Sequence, residues 1–577
     1  MQESKVTISD VIHLLSFGYV SDKYPNETRF EFRQPHLGSQ LTTSTTTTPS
    51  STPRNKNFPQ PQTPIDLPPQ HIPLSASDYA YSLRANSPLP DSLALINSST
   101  GQRVSYSEFT RKTQTLASYL HSVIGLSKGD VAFVLSPNLI QVPILYFSLL
   151  SLGIVISPAN PLSTESEISS LIQLCNPVIA FSTSSSAHKL SNISLRFKTI
   201  VLDSPEFDSM MTSPVITIDR VEVSQSDLAA ILYSSGTTGR VKGVMLTHRN
   251  LIATVSGNYA HRTERKSPAV LLYTVPYFHV FGFFYSLKSV ALNEGVVLME
   301  RFDLRKMMRA VEEFRVTHMV VTPPVVVAMA KTDVTDGYDL SSLEGVACGA
   351  APIAKDLVSA FMAKFPRVVF LQSYGLTEST GSAWRTVGQE ESVHWGSTGR
   401  LLGGFEAKIV DPDTGHALPP CKQGELWIRG PTIMKGYIGD PEATSATLVA
   451  DGWLRTGDLC YIDEEGFLFV VDRLKELIKY KGYQLEHLLQ SHPEIVDAAV
   501  IPYPDEEAGQ VPIAFVVRQP QSSLGEADII DFVAKQVSPY KKIRRVTFVN
   551  SLPKSATGKL LRKDLRKIVF VNSSSRL

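Results

Sequence analysis

Short apolar runs that alternate with segments of helix length constrain this chain more than any other feature. The run "DVAFVLS" (130–136) reads as a strand, 139–152 as a helix and "GIVISPA" (153–159) as a second strand. A Thr164-x-x-Glu167 capping box opens the next helix, and the strand "PVIAFST" (177–183) follows it. Strands separated by helices of this length predict a parallel, doubly wound sheet. The tracts "VTHMVVTPPVVVAMA" and "GVACGAAP" continue the pattern further along. The most apolar run, 142–156, falls short of the ~18–20 residues that a membrane span needs and is broken at Gly153. It reads as a buried helix running into a core strand, so no membrane span is expected. The opening residues also lack the cationic start and continuous apolar core of a secretory signal.

With 577 residues the chain can bury a large core and should hold more than one domain. Residues 1–70 are rich in Ser, Thr and Pro and poor in core-forming side chains, which predicts a disordered extension. The alternating pattern occupies 71–474. From 475 to 570 the character changes to a charged stretch, "DRLKELIKYKGYQ", then "LEHLLQSH" with Leu485, Leu488 and Leu489 on one face, two strands, a helix and the basic "YKKIRRVTFV". This is a small α+β unit, and a hinge is placed near Lys475. The last residues, 571–577, end in Ser575-Arg576-Leu577, a conservative variant of the Ser-Lys-Leu address, so a peroxisomal import receptor is an expected partner. Lys+Arg and Asp+Glu are both 55, which removes the electrostatic argument for a nucleic-acid partner. Cys175, Cys348, Cys421 and Cys460 lie too far apart in sequence for a zinc or dithiol motif and read as buried free thiols.

The strongest local signal is "LYSSGTTGRVKGVMLTH" (232–248). Its glycines let backbone N–H groups approach an anion, its hydroxyls add donors, and Lys242 adds charge. It is no Walker loop, since Lys242 is followed by Gly243. Taken alone, a plain glycine-rich hairpin would explain it as well. Five further segments follow in order: "QSYGLTES" (372–379), "GELWIRG" (424–430), "WLRTGDL" (453–459), "DRLKELIKYKG" (472–482) and "PKSATGKLLR" (553–562).

This constellation resembles the adenylate-forming enzyme superfamily, most closely the plant 4-coumarate:CoA ligases and their acyl-CoA ligase-like relatives, over about residues 74–565. The resemblance implies a large N-terminal domain with doubly wound mixed sheets and a small β-barrel-like subdomain, plus a small mobile α+β C-terminal domain. It implies a two-step reaction. A carboxylic acid and ATP give an acyl-adenylate and pyrophosphate, and the thiol of coenzyme A then displaces AMP. An anionic nucleophile attacking an anionic phosphate needs cations and oriented N–H donors on the developing charge.

By resemblance, Ser234, Ser235, Gly236, Thr237, Thr238 and Lys242 wrap the outgoing phosphates, Gln372 and Thr377 meet the nucleotide, and Glu378 carries magnesium, a hard ion suited to a carboxylate. Asp458, Arg473 and Lys475 match the ribose-binding and hinge positions. Lys559 matches the lysine bridging carboxylate and α-phosphate in the first step. For the second step the small domain rotates and presents Lys479, Lys481, Gly482 and Gln484 to AMP and coenzyme A, with Arg301 near the nucleotide end of coenzyme A.

In "VPYFHVFGFF", His279 matches the histidine lining the acid site, although a lone histidine in such a run is more often a core residue. Two residues on, ligases for 4-hydroxycinnamates carry a tyrosine, and this chain has Phe281. Hydrogen bonds to a buried substrate hydroxyl can discriminate by ~10⁴–10⁵, against about 10–200-fold for apolar fit. An apolar acid, fatty or of oxylipin (jasmonate-precursor) type, is therefore favoured over a phenylpropanoid. Ala350 and Ser373 complete the expected acid pocket, with Ser373 narrowing its floor where relatives have glycine.

One departure stands out. After Gln484 about five residues of the family pattern are missing, a stretch able to span at most ~17 Å. A non-catalytic member, or one impaired in the second step, is the alternative this gap keeps open. A carrier-protein adenylation domain and a luciferase-type oxygenase share the motifs, and the basic residues facing coenzyme A favour ligation.

Overall fold

The computed structural model describes residues 65–85, 92–214, 216–235, 241–351, 353, 355–474, 482–505, 509–536, 542–554, 560–562 and 564–565. The expected strands and helices form where the pattern places them. Helix Gln141–Ser151 buries every residue from Val142 to Leu150, and strand Val155–Ala159 is buried along its whole length. Such uniform burial is what a helix apolar on all faces requires. Helix Glu165–Cys175 starts with the full capping box: Thr164 Oγ1 accepts from the Glu167 N–H at 3.3 Å, and Glu167 Oε2 accepts from the Thr164 N–H at 2.8 Å.

These elements build a seven-stranded sheet. Its order runs Gly436–Tyr437, Val241–Thr247, Leu228–Ser235, Val155–Ala159, Val131–Leu135, Ile179–Ser182, Ile200–Val201. The last five run parallel, and only Val241–Thr247 runs against the rest, pairing antiparallel on both sides. A nine-stranded sheet has a parallel centre, with strands Leu93–Asn97, Gly295–Leu298, Val270–Tyr273, His318–Val321, Gly345–Cys348 and Val369–Leu376 side by side, and antiparallel strands at both edges. Both sheets are thus mixed, as expected. The small subdomain is a five-stranded antiparallel sheet of Glu406–Val410, Gly424–Arg429, Trp453–Ile462, Leu448–Val449 and Leu468–Arg473.

Helix Val280–Ala291 lies close against the loop that precedes it. A Cβ added at Gly282 would sit 2.2 Å from the Pro276 carbonyl oxygen, so only glycine admits this approach. Among the described residues no helix is long and apolar enough to cross a membrane. Three of the four cysteines are buried, while Cys421 is exposed in a turn, contrary to the expectation that all four thiols are internal.

The first described residues are already fastened to the large domain, so the expected extension ends short of residue 70. Ser256 Oγ donates to the Asp66 carbonyl at 2.8 Å, Arg249 Nη1 to that of Pro68 at 2.6 Å, and Gln225 Nε2 to those of Pro69 and Ile72 at 2.7 and 3.0 Å. The strap closes on His248, whose Nδ1 accepts from the Ala76 N–H at 3.0 Å.

The C-terminal part centres on the three-stranded sheet Ile495–Asp505, Gly509–Arg518 and Arg545–Phe548. Helix Gly482–Ser491 docks on it through the fully buried Leu485 and Leu489, with Leu488 partly buried, which is the face the sequence predicts. Buried Glu486 fixes the register, accepting from the Val500 N–H at 2.7 Å and from Arg562 Nη2 at 2.9 and 2.8 Å. Lys475, the expected hinge, and residues 571–577 lie outside the described residues.

Burial holds His248 neutral and pushes its pKa down to about 4 from 6.5, with Lys128 adding to the effect and Asp227 opposing it. The unfolded chain takes up this proton near 6.5 and the native state only near 4, so the stability it contributes is complete above pH 6.5 and is lost as pH falls toward 4. The stability difference between the native chain and His248→Gln, read from urea unfolding, is therefore expected to shrink steadily over that interval.

Candidate active site

The glycine-rich stretch is a hairpin between strands Leu228–Ser235 and Val241–Thr247, whose ladder closes with Ser234 opposite Lys242 and Ser235 opposite Val241. Directly opposed residues project from the same face of a pair, so the Ser234 hydroxyl and the Lys242 ammonium share one side. Ser234 Oγ donates to Glu378 Oε1 at 2.9 Å. Tyr437 OH donates to the same oxygen at 2.9 Å, and Lys242 Nζ stands 4.5 Å above the Tyr437 ring centroid. Tyr437 reaches this point because strand Gly436–Tyr437 pairs with Val241–Thr247, opposite Val244. Gly236, Thr237 and Thr238, at the hairpin tip, lie outside the described residues, as does the side chain of Ser235.

Strand Val369–Leu376 delivers the second group. It carries Gln372, Ser373 and Tyr374 and runs into a 3-10 turn, Thr377–Ser379, that places Glu378 beside the hairpin. Gln372 and Thr377 are buried. Tyr374 OH donates to Asp458 Oδ2 at 2.6 Å, and Asp458 pairs in register with Arg473 on the neighbouring strand. Burial first, and the Asp458 charge second, hold the Tyr374 phenol well above its ordinary range, so it remains a donor. Ser234 and Tyr437 thus hold Glu378, Lys242 stands over Tyr437, and Asp458 meets through Tyr374 the strand that leads to Glu378. Sequence reasoning assigned no part to Tyr374 or Tyr437. Tyr374 stood inside a recognised motif, whereas Tyr437 in "KGYIGD" offered no signal of its own.

The third group is apolar. His279 caps helix Val280–Ala291, its Nδ1 accepting from the Phe281 N–H at 3.3 Å, so the neutral ring carries its proton on Nε2. Phe281 packs edge-on to Tyr285 with centroids 5.0 Å apart, and Phe284 lies 4.6 Å from Tyr285. Gly349 backs this wall: a Cβ there would meet Ser373 Oγ at 2.8 Å and Phe281 Cζ at 3.4 Å. Phe281, Ser373 and Gly349 therefore converge. Ala350 follows with φ +72°, an unusual conformation for a residue with a Cβ, and its side chain is exposed rather than set in the wall.

Of the remaining expected residues, only Arg301, Gly482 and Gln484 fall within the described ones. Arg301 is exposed at the end of strand Gly295–Leu298. Gly482 and Gln484 open the helix Gly482–Ser491, where the Gln484 side chain is not described. Lys475, Lys479, Lys481 and Lys559 lie outside the described residues.

Among the described residues no group of three or more His, Cys, Asp or Glu forms a closed metal site. Glu378 nevertheless fits magnesium. Its Oε1 is held by two hydroxyls, which fixes the carboxylate and leaves Oε2 for a hard cation. Magnesium commonly binds through one or two carboxylates plus substrate phosphates.

Comparison with known proteins agrees with this geometry. Residues 84–438 match the family model described as AMP-binding enzyme, and residues 484–559 that of the AMP-binding enzyme C-terminal domain. A 4-coumarate--CoA ligase-like 9 of Arabidopsis thaliana is 50% identical over 534 residues, covering 89% of this chain and 95% of the relative. Peroxisomal OPC-8:0-CoA ligase 1 of the same species is 45% identical, covering 90% and 97%. Among solved structures, ATP-bound MatB from Rhodopseudomonas palustris superposes with TM-score 0.77 at 26% identity, covering 86% of this chain and 99% of that one. The o-succinylbenzoate CoA synthetase of Bacillus subtilis, in complex with its acyl-adenylate intermediate, gives 0.73 at 26% identity, covering 85% and 98%.

Tyr437→Phe removes one of the two hydroxyls that hold Glu378. A hydrogen bond to a charged group carries roughly 10–100-fold in an equilibrium. The variant is expected to bind magnesium-ATP about tenfold more weakly by titration calorimetry, with no loss of secondary structure by circular dichroism.

Proposed function

The chain belongs to the AMP-binding enzyme family and is an acyl-CoA ligase acting through an acyl-adenylate; on that premise we propose that its acid is apolar, of fatty or oxylipin type. The observation that carries the proposal is the aromatic cluster of Phe281, Phe284 and Tyr285, in which Phe281 meets Ser373 beside Gly349, with no hydroxyl at position 281 to receive a ring hydroxyl. The relative named Peroxisomal OPC-8:0-CoA ligase 1 supports both this acid class and a peroxisomal location.

In the proposed first step the acid's carboxylate attacks the α-phosphate of ATP and pyrophosphate leaves. Ser234 and Lys242, on one face of the hairpin, hold the departing phosphates with the hairpin tip, and Thr377 and Gln372 hold the nucleotide. Asp458, oriented by Tyr374, accepts the ribose hydroxyls beside Arg473. A magnesium ion bound with ATP would neutralise charge on the phosphates. Glu378 would hold it, kept in place by Ser234 and Tyr437. Lys559 is the proposed bridge between carboxylate and α-phosphate, and loss of one such donor costs about 10²–10³ in rate. In the second step the coenzyme A thiol attacks the acyl carbonyl and AMP leaves, with Lys479, Lys481, Gly482, Gln484 and Arg301 as the proposed contacts. His279, fixed as a helix cap, lines the acid site with its Nε2 side, and Ala350 contributes backbone there.

The comparisons do not favour the non-catalytic alternative.

Acid-dependent ATP–pyrophosphate exchange and CoA-thioester formation, run in parallel with saturated fatty acids, cyclopentyl oxylipin acids and 4-hydroxycinnamate, test the proposal. Apolar acids are expected to exceed 4-hydroxycinnamate by at least ~10-fold in kcat/KM, the scale set by apolar fit. A preference for 4-hydroxycinnamate would refute the acid class. Exchange without thioester would place a defect in the second step.

A further inference from the structure

Charged side chains border the aromatic wall around Phe281. Phe281, Tyr285 and Lys288 recur on one face of helix Val280–Ala291, so Tyr285 lies about 6 Å and Lys288 about 10 Å further along the axis than Phe281. On the facing sheet, Ser373 stands directly opposite Arg385 in the antiparallel pair of strands Val369–Leu376 and Gly381–Arg385. Cross-strand partners share a face with Cβ atoms about 5 Å apart. The Arg385 side chain therefore projects beside Ser373, on the side that meets Gly349 and Phe281.

Arg385 is fixed there by Nη1 donating to Oδ1 of buried Asn258 at 2.9 Å. Among the described residues this is its hydrogen bond, and the guanidinium fork has five N–H groups. Burial pulls Arg385 below its ordinary pKa range, yet the side chain, like those of Tyr285 and Lys288, keeps part of its surface accessible. Arg385, Tyr285 and Lys288 are thus enclosed by protein without being fully sealed from solvent. Close by, His261 has a buried Nε2 without a partner among the described residues.

We propose, building on the apolar-acid ligase reading, that Arg385 is a specificity-determining residue at the remote end of the pocket, where it selects acids carrying a neutral hydrogen-bond acceptor, a ketone or ring-carbonyl oxygen, away from the carboxylate. Electrostatics favour a neutral acceptor over a second carboxylate. Glu294 and Glu391 already offset the guanidinium charge, and Glu294 is itself held by Lys288 at 2.6 Å. A second carboxylate would add net charge among ions that already have partners, Glu294 with Lys288 and Glu391 with Arg400, while a carbonyl accepts an N–H without adding any. A bare hydrocarbon end would leave buried N–H groups facing carbon, which costs the full desolvation of those donors.

The test compares a straight-chain saturated acid with its methyl-ketone analogue of the same length, by ATP–pyrophosphate exchange on the full chain. The native chain is expected to prefer the oxo acid by about 10–100-fold in kcat/KM. Arg385→Met should erase that preference by slowing the oxo acid alone, and Arg385→Lys should restore part of it. Equal use of both acids by the native chain, or equal loss of both in Arg385→Met, would overturn the proposal. Should Arg385→Met not fold, the native chain's preference decides by itself. Exchange with 4-hydroxycinnamate alone, or with no acid, would instead overturn the reading on which the proposal rests.

Discussion

The site depends on one carboxylate oxygen. Glu378 Oε1 takes hydroxyl donors from Ser234 and Tyr437, so a single atom ties the hairpin and an edge strand of the seven-stranded sheet to the turn that leaves the nine-stranded sheet. In α/β folds the crevice beyond the carboxyl ends of the strands is where a ligand can reach the backbone of several connections at once. Here two sheets present such ends to each other, and Glu378 is the joint. Its backbone adds to this: the Glu378 carbonyl accepts from the Met434 N–H at 2.9 Å, so the segment bearing Tyr437 is held by main chain as well as side chain. Moving any one of the three elements would strain its contacts with the other two.

Much of this was legible in the sequence, and what was legible has a physical signature. The helix at Gln141–Ser151 announced itself because burial on every side leaves no room for polar residues, and the Thr164–Glu167 box because a cap needs defined side chains at a defined spacing. Ser234, Lys242, Glu378 and Asp458 were legible because each sits in a motif. Tyr374, Tyr437 and Arg385 were not, because their parts are set by cross-strand register and by contacts between distant segments. An arginine in "GSAWRTVGQ" carries no mark of its neighbours, and only the sheet register sets it opposite Ser373. His279 shows the converse, a residue whose motif points to chemistry and whose Nδ1 serves as a helix cap.

The helix that carries Gln484, where the family pattern implies a shortened link, is held by buried contacts. Leu485 and Leu489 are fully buried, and Glu486 is buried on the Val500 amide and on Arg562. Breaking such a buried charged pair by removing one partner typically costs about 3–5 kcal/mol. The closure entropy of a loop changes far more gently, by about 0.6 kcal/mol for each doubling of its length. The helix Gly482–Ser491 is therefore firmly seated on its sheet, whatever the length of the link that leads into it.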